Sequence, residues 1–177
     1  MALEIDRATN KLVGHDNFAQ VEPNHLSAPR DGGVYGQLPA DDSIEILEQG
    51  TFVKYDYAAG KVNFTGEGPW MMVFNEEKLY DERKQMHRDY AMQKGEFYDG
   101  VMVPRVFRMA AGDIFTTNAV VKGSYTVGDK VAPNAQGILD KTAAAKAGTD
   151  KTLLLQVVKE TTMPDGQPAV KLQVIHE

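Results

Sequence analysis

No cysteine occurs in the 177 residues of this chain. That excludes a disulfide scaffold, a thiolate zinc site, an iron–sulfur cluster and a cysteine nucleophile. The missing thiols fit a reducing compartment. Long apolar runs are also missing. The densest, Leu153-Leu154-Leu155-Gln156-Val157-Val158, falls far short of the ~20 residues of a membrane-spanning helix. The opening residues, Met1-Ala2-Leu3-Glu4-Ile5-Asp6, carry neither a basic stretch nor an apolar core, so no secretory leader is expected there. Positive charge is in deficit, with 19 Lys plus Arg against 25 Asp plus Glu and a net charge of −6. Affinity for phosphate depends on clustered Lys and Arg, so neither nucleic acid nor anionic membrane is an expected partner.

The remaining composition, 42% hydrophobic and 25% charged, is that of a globular domain. It excludes a disordered chain, a collagen-like fibre and a coiled-coil rod. The length corresponds to about one domain of ~100–200 residues.

Two regions differ in pattern. Residues 1–40 are rich in turn formers, with clusters at Glu22-Pro23-Asn24-His25 and Ala28-Pro29-Arg30-Asp31-Gly32-Gly33. No helical or strand period runs through them, and Pro and Gly recur too often for a regular element. Scattered apolar residues, among them Phe18, Val21 and Leu26, exceed what a disordered tail carries. The segment therefore reads as an extended N-terminal arm, lying either on its own domain or on a neighbouring subunit.

Residues 41–177 read as a β-rich domain. Strand signals lie at Ser43–Leu47, Thr51–Tyr57, Val62–Phe64, Val101–Met109, Asp113–Thr117, Ser124–Val127 and Lys130–Ala132. Trp70-Met71-Met72-Val73-Phe74 is a continuous apolar run, the mark of a strand buried on both faces. Pro104 places its strand at an edge or bulge. The clearest signal is terminal: Thr152–Lys159 and Ala169–Ile175 flank a Pro164-Asp165-Gly166 turn, which predicts a β-hairpin. Residues 75–94 interrupt the β pattern. Asn75 as N-cap, Glu76 and Glu77 in the first turn and Gly95 as a stop predict a solvated helix. Ala143–Gly148 reads as a loop or one helical turn. The fold expected is mainly β, an antiparallel barrel or sandwich with one helical excursion and an N-terminal arm.

Few residues in the sequence mark chemistry. His15, His25, His87 and His176 form no pair at metal-ligand spacing. His15-Asp16 has the form of a base with its orienter, but fits a turn hydrogen bond better. Ser27, Ser43 and Ser124 lack the G-x-S-x-G setting of a nucleophile. Gly32-Gly33-Val34-Tyr35-Gly36 does not join a strand to a helix as a phosphate loop must. Asp41-Asp42, Asp81-Glu82 and Asp165 do not make a calcium loop. Nothing marks a glycosidase carboxylate pair. The aromatics Phe52, Tyr55, Tyr57, Phe64, Trp70, Phe74, Tyr80 and Tyr90 could form a ligand platform, though strand aromatics are usually core. No catalytic residue, cofactor or metal is expected.

Four phrases carry a resemblance: Leu47–Lys54, Ala111–Asn118, Tyr125–Val131 and Gly137-Ile138-Leu139. With their Gly-Asp turns in a small acidic β domain, they are similar to capsid decoration (cement) proteins and related head structural proteins of tailed phages. The resemblance spans roughly 44–57 and 111–177. It implies a virion location on the capsid exterior after synthesis in the host cytoplasm, the major capsid protein as partner, and self-association as a homo-oligomer. It further implies that Phe18, Val21 and Leu26 anchor the arm on a neighbour, and that removing residues 1–40 leaves a folded domain unable to bind shells. The alternatives are a tail-tube or head–tail joining protein, which would polymerise into rings or stacks, and a small β-barrel enzyme or carbohydrate-binding module.

Overall fold

The terminal hairpin forms as its sequence dictates. The computed structural model describes residues 18–27, 34–35, 38–75, 91–146, 153–164 and 166–176. Thirteen strands occur among them: β1 (Val21–His25), β2 (Val34–Tyr35), β3 (Ile46–Glu48), β4 (Phe52–Asp56), β5 (Lys61–Asn63), β6 (Trp70–Val73), β7 (Ala91–Gln93), β8 (Val106–Arg108), β9 (Ile114–Thr117), β10 (Lys130–Pro133), β11 (Leu139–Asp140), β12 (Leu154–Thr162) and β13 (Pro168–His176). One short helix, α1 (Lys141–Lys146), separates β11 from β12. In the turn between β12 and β13, the Met163 N–H donates to Gln167 O at 2.8 Å and the Gly166 N–H to Met163 O at 2.8 Å. The chain is mainly β and antiparallel. No helix among the described residues is long and apolar enough to cross a membrane.

The strands form layers. One sheet has the order β1-β9-β13-β12-β10-β11, a second β2-β8-β6-β4-β5, and β3 pairs β7 in a ribbon. The described strands thus make open, stacked sheets. The second sheet is the middle layer, because its strands carry apolar residues on both faces. Phe52 and Met72, directly opposed in register, point into a first core with Phe115, Val157 and Leu172 of the six-stranded sheet. Val53 and Met71, the next pair, point the other way into a second core with Leu47 of β3 and Met92 of β7. A strand's side chains alternate between faces, so one residue of shift would exchange the two cores. Full burial of each such side chain contributes ~1.5–3 kcal/mol, which fixes the register.

Several expectations are corrected. Val21–His25 is an edge strand of the six-stranded sheet, paired with β9. The body therefore begins well before residue 41. Ser124–Val127 is a loop and not a strand, because its polar groups bond locally. The Tyr125 hydroxyl donates to Val121 O, and the Asp129 carboxylate accepts the Thr126 N–H at 2.9 Å. Within Val101–Met109 only Val106–Arg108 pairs as a strand. Pro104 has no N–H to give, and the Arg105 N–H donates to the Asn75 side chain at 2.9 Å. Asn75 Oδ1 accepts that bond; the residues that Asn75 was expected to cap lie outside the described part. Of the expected helix over 75–94, residues 76–90 lie outside the described part. Ala91–Gln93 is strand β7, and Lys94–Glu96 is a single 3-10 turn containing Gly95. Trp70 is only half-buried, with the Lys54 ammonium 4.8 Å from its ring centroid.

Candidate functional site

The expected anchors sit as follows. Val21 is buried in the first core, and Leu26 packs against that core from its rim. Phe18 is half-buried. Val21 is therefore unavailable as an anchor for a neighbour, which corrects its expected role. The segment around it is fixed to β9 by side-chain hydrogen bonds. Asn118 Oδ1 accepts the Gln20 N–H at 2.7 Å, and the Thr117 hydroxyl donates to Gln20 O at 2.6 Å. The Thr116 hydroxyl donates to Asn24 Oδ1 at 2.8 Å. Asp113 ties the far end, its two oxygens accepting the Ser27 N–H at 2.8 Å and the Ala110 N–H at 2.9 Å. Residues 18–27 belong to the domain's own architecture, because each of these polar groups needs its partner once buried.

The Gly-Asp turns of the resemblance are structural locks of the same kind. At the Gly128-Asp129 turn, Lys141 Nζ donates to Asp129 Oδ2 at 2.7 Å and to Ser124 O at 3.0 Å, and lies 5.5 Å over the Tyr125 ring. The Lys141 hydrogen bond and then the Thr126 N–H hold the Asp129 carboxyl below the usual carboxylate range. Burial, then the negative charges of Asp140 and Asp129, push the Tyr125 hydroxyl above the usual tyrosine range. The sign follows directly. A hydroxyl whose folded value is raised contributes stability that is complete below its unfolded value, about 10, and is lost as pH rises beyond it. Tyr125→Phe is therefore expected to melt nearer to wild type at pH 11 than at pH 8. A gap in melting temperature that does not change with pH would contradict this.

Two hollows are lined by described residues. A pocket of about 190 Å³ lies between Ile44, Ile46, Phe64 and Ile138, with Glu48 on its wall, smaller than the ~300–1,000 Å³ typical of ligand sites. Beside it, Glu45, Ile46, Gln93, Gly95 and Glu96 surround an open hollow of about 420 Å³. Nearby, Asp41 accepts both the Ser43 hydroxyl and N–H, which hold its carboxyl below the usual range. Lys61 bonds Asp42 at 2.8 Å and is raised by that contact. No group of three or more potential metal ligands occurs among the described residues. His25 and His176 are exposed strand residues. His15, Asp16, Asp81, Glu82, His87 and Asp165 lie outside the described part.

The feature that sequence reading missed is an apolar surface. Tyr98 is fully exposed at 108%, Val101 at 40% and Val103 at 44%, whereas Met102 between the two valines is buried at 2%. The segment is held from behind. Ala40 N–H donates to Met102 O at 2.7 Å and Phe74 N–H to Arg105 O at 3.1 Å, while the Val101 N–H reaches Asp99 Oδ1 at 3.1 Å. The run Val101-Met102-Val103-Pro104 is apolar at every position, so alternation could not say which row faces water. Phe97, partly buried against the second core, marks where this segment leaves the β3–β7 ribbon. Compared with protein-family models, with curated proteins and with solved structures, the chain matches none.

Proposed function

We propose that this chain is a virion structural protein that binds the outside of a tailed-phage head shell and stabilises it through contacts bridging shell subunits. The single observation that carries the reading is the Tyr98–Val101–Val103 surface. Isolated exposed apolar residues are normal. Three lie within six positions, Tyr98 in a turn closed by the Gly100 N–H to Phe97 O and the two valines on an extended stretch held by backbone hydrogen bonds, a grouping of the kind that marks protein contacts. Because the segment is already ordered, docking incurs little further conformational entropy. The phrases that resemble decoration proteins support the same reading. Their Gly-Asp turns bind strands and loops together, and the role needs no catalytic group. The major capsid protein is the partner on this reading, and the acidic body, at net −6, is repelled by packaged genome.

Substituting Val101→Asp and Val103→Asp together tests it. These side chains face solvent, so the variant is expected to melt within a few degrees of wild type, since surface changes usually stay within about 0.5 kcal/mol. It is expected to lose co-sedimentation with shells stripped of this protein, at least tenfold in affinity. Undiminished binding by a folded variant would remove the patch from the interface.

A further inference from the structure

The outer face of the six-stranded sheet carries charges in an arrangement that the isolated domain gains nothing from. Leu155, Val157, Leu172 and Val174 point into the first core, so Gln156, Lys171 and Gln173, which alternate with them, lie outside. The register shifts between Val157 and Lys159, and beyond the shift Lys159 stands directly opposite Lys171. Lys130 on β10 pairs with Gln156 in the neighbouring row. Directly opposed residues bring their Cβ atoms to ~4.5–5.5 Å, and like charges there destabilise a sheet. None of these three lysines makes an ion pair or hydrogen bond among the described residues. Glu160 sits opposite Val170. Glu22 sits opposite Thr116, two strands from Lys171, about 10 Å away at the usual strand spacing.

The opposite charge lies on the far side of the middle sheet. The β3–β7 ribbon, which packs on the second core, bears the hollow between Glu45 and Glu96. The Glu45 side chain is 77% exposed, and Lys94 approaches it only to 3.7 Å. Glu96 is exposed as well. The basic and the acidic surface are on opposite faces of one layered domain, so a single copy cannot bring them together. A polyanion is a poor occupant of the lysine face, since the whole chain at net −6 repels it. An acidic surface of the same chain is present in equal number and has a hollow to receive lysine side chains.

We propose that the Lys130–Lys159–Lys171 face of one copy docks on the Glu45–Glu96 hollow of a second copy, so that copies associate head to tail. Such a heterologous contact uses two different surfaces and generates rings or stacks rather than closed twofold dimers. It goes beyond shell binding and is tested on the purified full chain alone.

Sedimentation velocity at low ionic strength, from micromolar to millimolar protein, is expected to show concentration-dependent association that 0.5 M salt removes, because salt screens exposed charges. Lys159→Glu is expected to weaken association at least tenfold and yet to raise the melting temperature, since it turns an opposed like-charge pair into an opposite-charge pair. A merely structural residue would not combine those two effects. Two double variants complete the test: Lys159→Glu with Lys171→Glu, and Glu45→Lys with Glu96→Lys. Neither is expected to self-associate, but an equimolar mixture of the two is expected to associate in alternation, in one-to-one stoichiometry. A wild-type chain that stays monomeric throughout, or a mixture that does not associate, would overturn the proposal.

Discussion

Replacing Gly137 by alanine is expected to lower the unfolding free energy by ~3–5 kcal/mol, a large share of the ~5–15 kcal/mol that holds a domain together. Gly137 stands in the turn between β10 and β11 with φ at +73°, a conformation that costs a non-glycine residue ~1–2 kcal/mol. The backbone cannot relax, because it is bonded on both sides. Its N–H donates to Asn134 O at 3.0 Å, and its carbonyl accepts the Phe52 N–H at 2.7 Å. A methyl group there would lie 1.9 Å from Phe52 O, far inside van der Waals contact. Relief means moving β4, whose Phe52 is fully buried in the first core. The substitution thus combines strain, overpacking and a lost hydrogen bond. Urea denaturation would measure it. A midpoint shift of less than about 0.3 M, at the usual slope of ~1–3 kcal/mol per M, would contradict this account of the turn.

The second large effect concerns the N-terminal segment. A chain beginning at residue 18 keeps every contact described for β1, whereas one beginning at residue 28 loses them all. The shorter chain gives up Val21 from the first core. It leaves Thr117 and Asn118, both fully buried, without their bonds to Gln20. It also bares the edge of β9, an invitation to aggregation. Stranded buried polar groups cost ~1–3 kcal/mol each, so a loss of ~4 kcal/mol or more is expected for residues 18–27. Removing residues 1–40 therefore tests stability before it tests docking, contrary to the expectation drawn from sequence. Equal urea midpoints for the two truncated chains would show that β1 contributes nothing to the domain.

Legibility in the sequence followed how local the determining physics is. The β12–β13 hairpin was readable because Pro164 and Gly166 set the turn and Val170, Leu172 and Val174 alternate beside it. The double-faced burial of β6 was readable because Trp70–Phe74 has no polar position. Even the Lys159–Lys171 opposition follows from that turn, since Thr162 pairs with Pro168 and counting back three places sets the lysines opposite each other. Val21–His25 was hidden because its Glu22-Pro23-Asn24-His25 run has turn composition. What makes it a strand is Asn118, Thr117 and Asp113 from about ninety residues away. Tyr125 reads as a strand residue by propensity, yet its hydroxyl bonds four residues back to Val121. Tertiary context overrides such propensities. The candidate surfaces were less legible still, because exposure of Tyr98 and Val103, or of Glu45 and Glu96, depends on how whole layers stack.

The most direct test of the proposed role is the copy number of this protein in tailed-phage particles purified from cells that produce it. Quantitative mass spectrometry against the major shell protein would give that number. A shell-decorating protein is expected at hundreds of copies per particle, at a fixed ratio to the shell protein. Tens of copies would instead point to a tail or connector ring, and complete absence from the particle would contradict the structural role altogether.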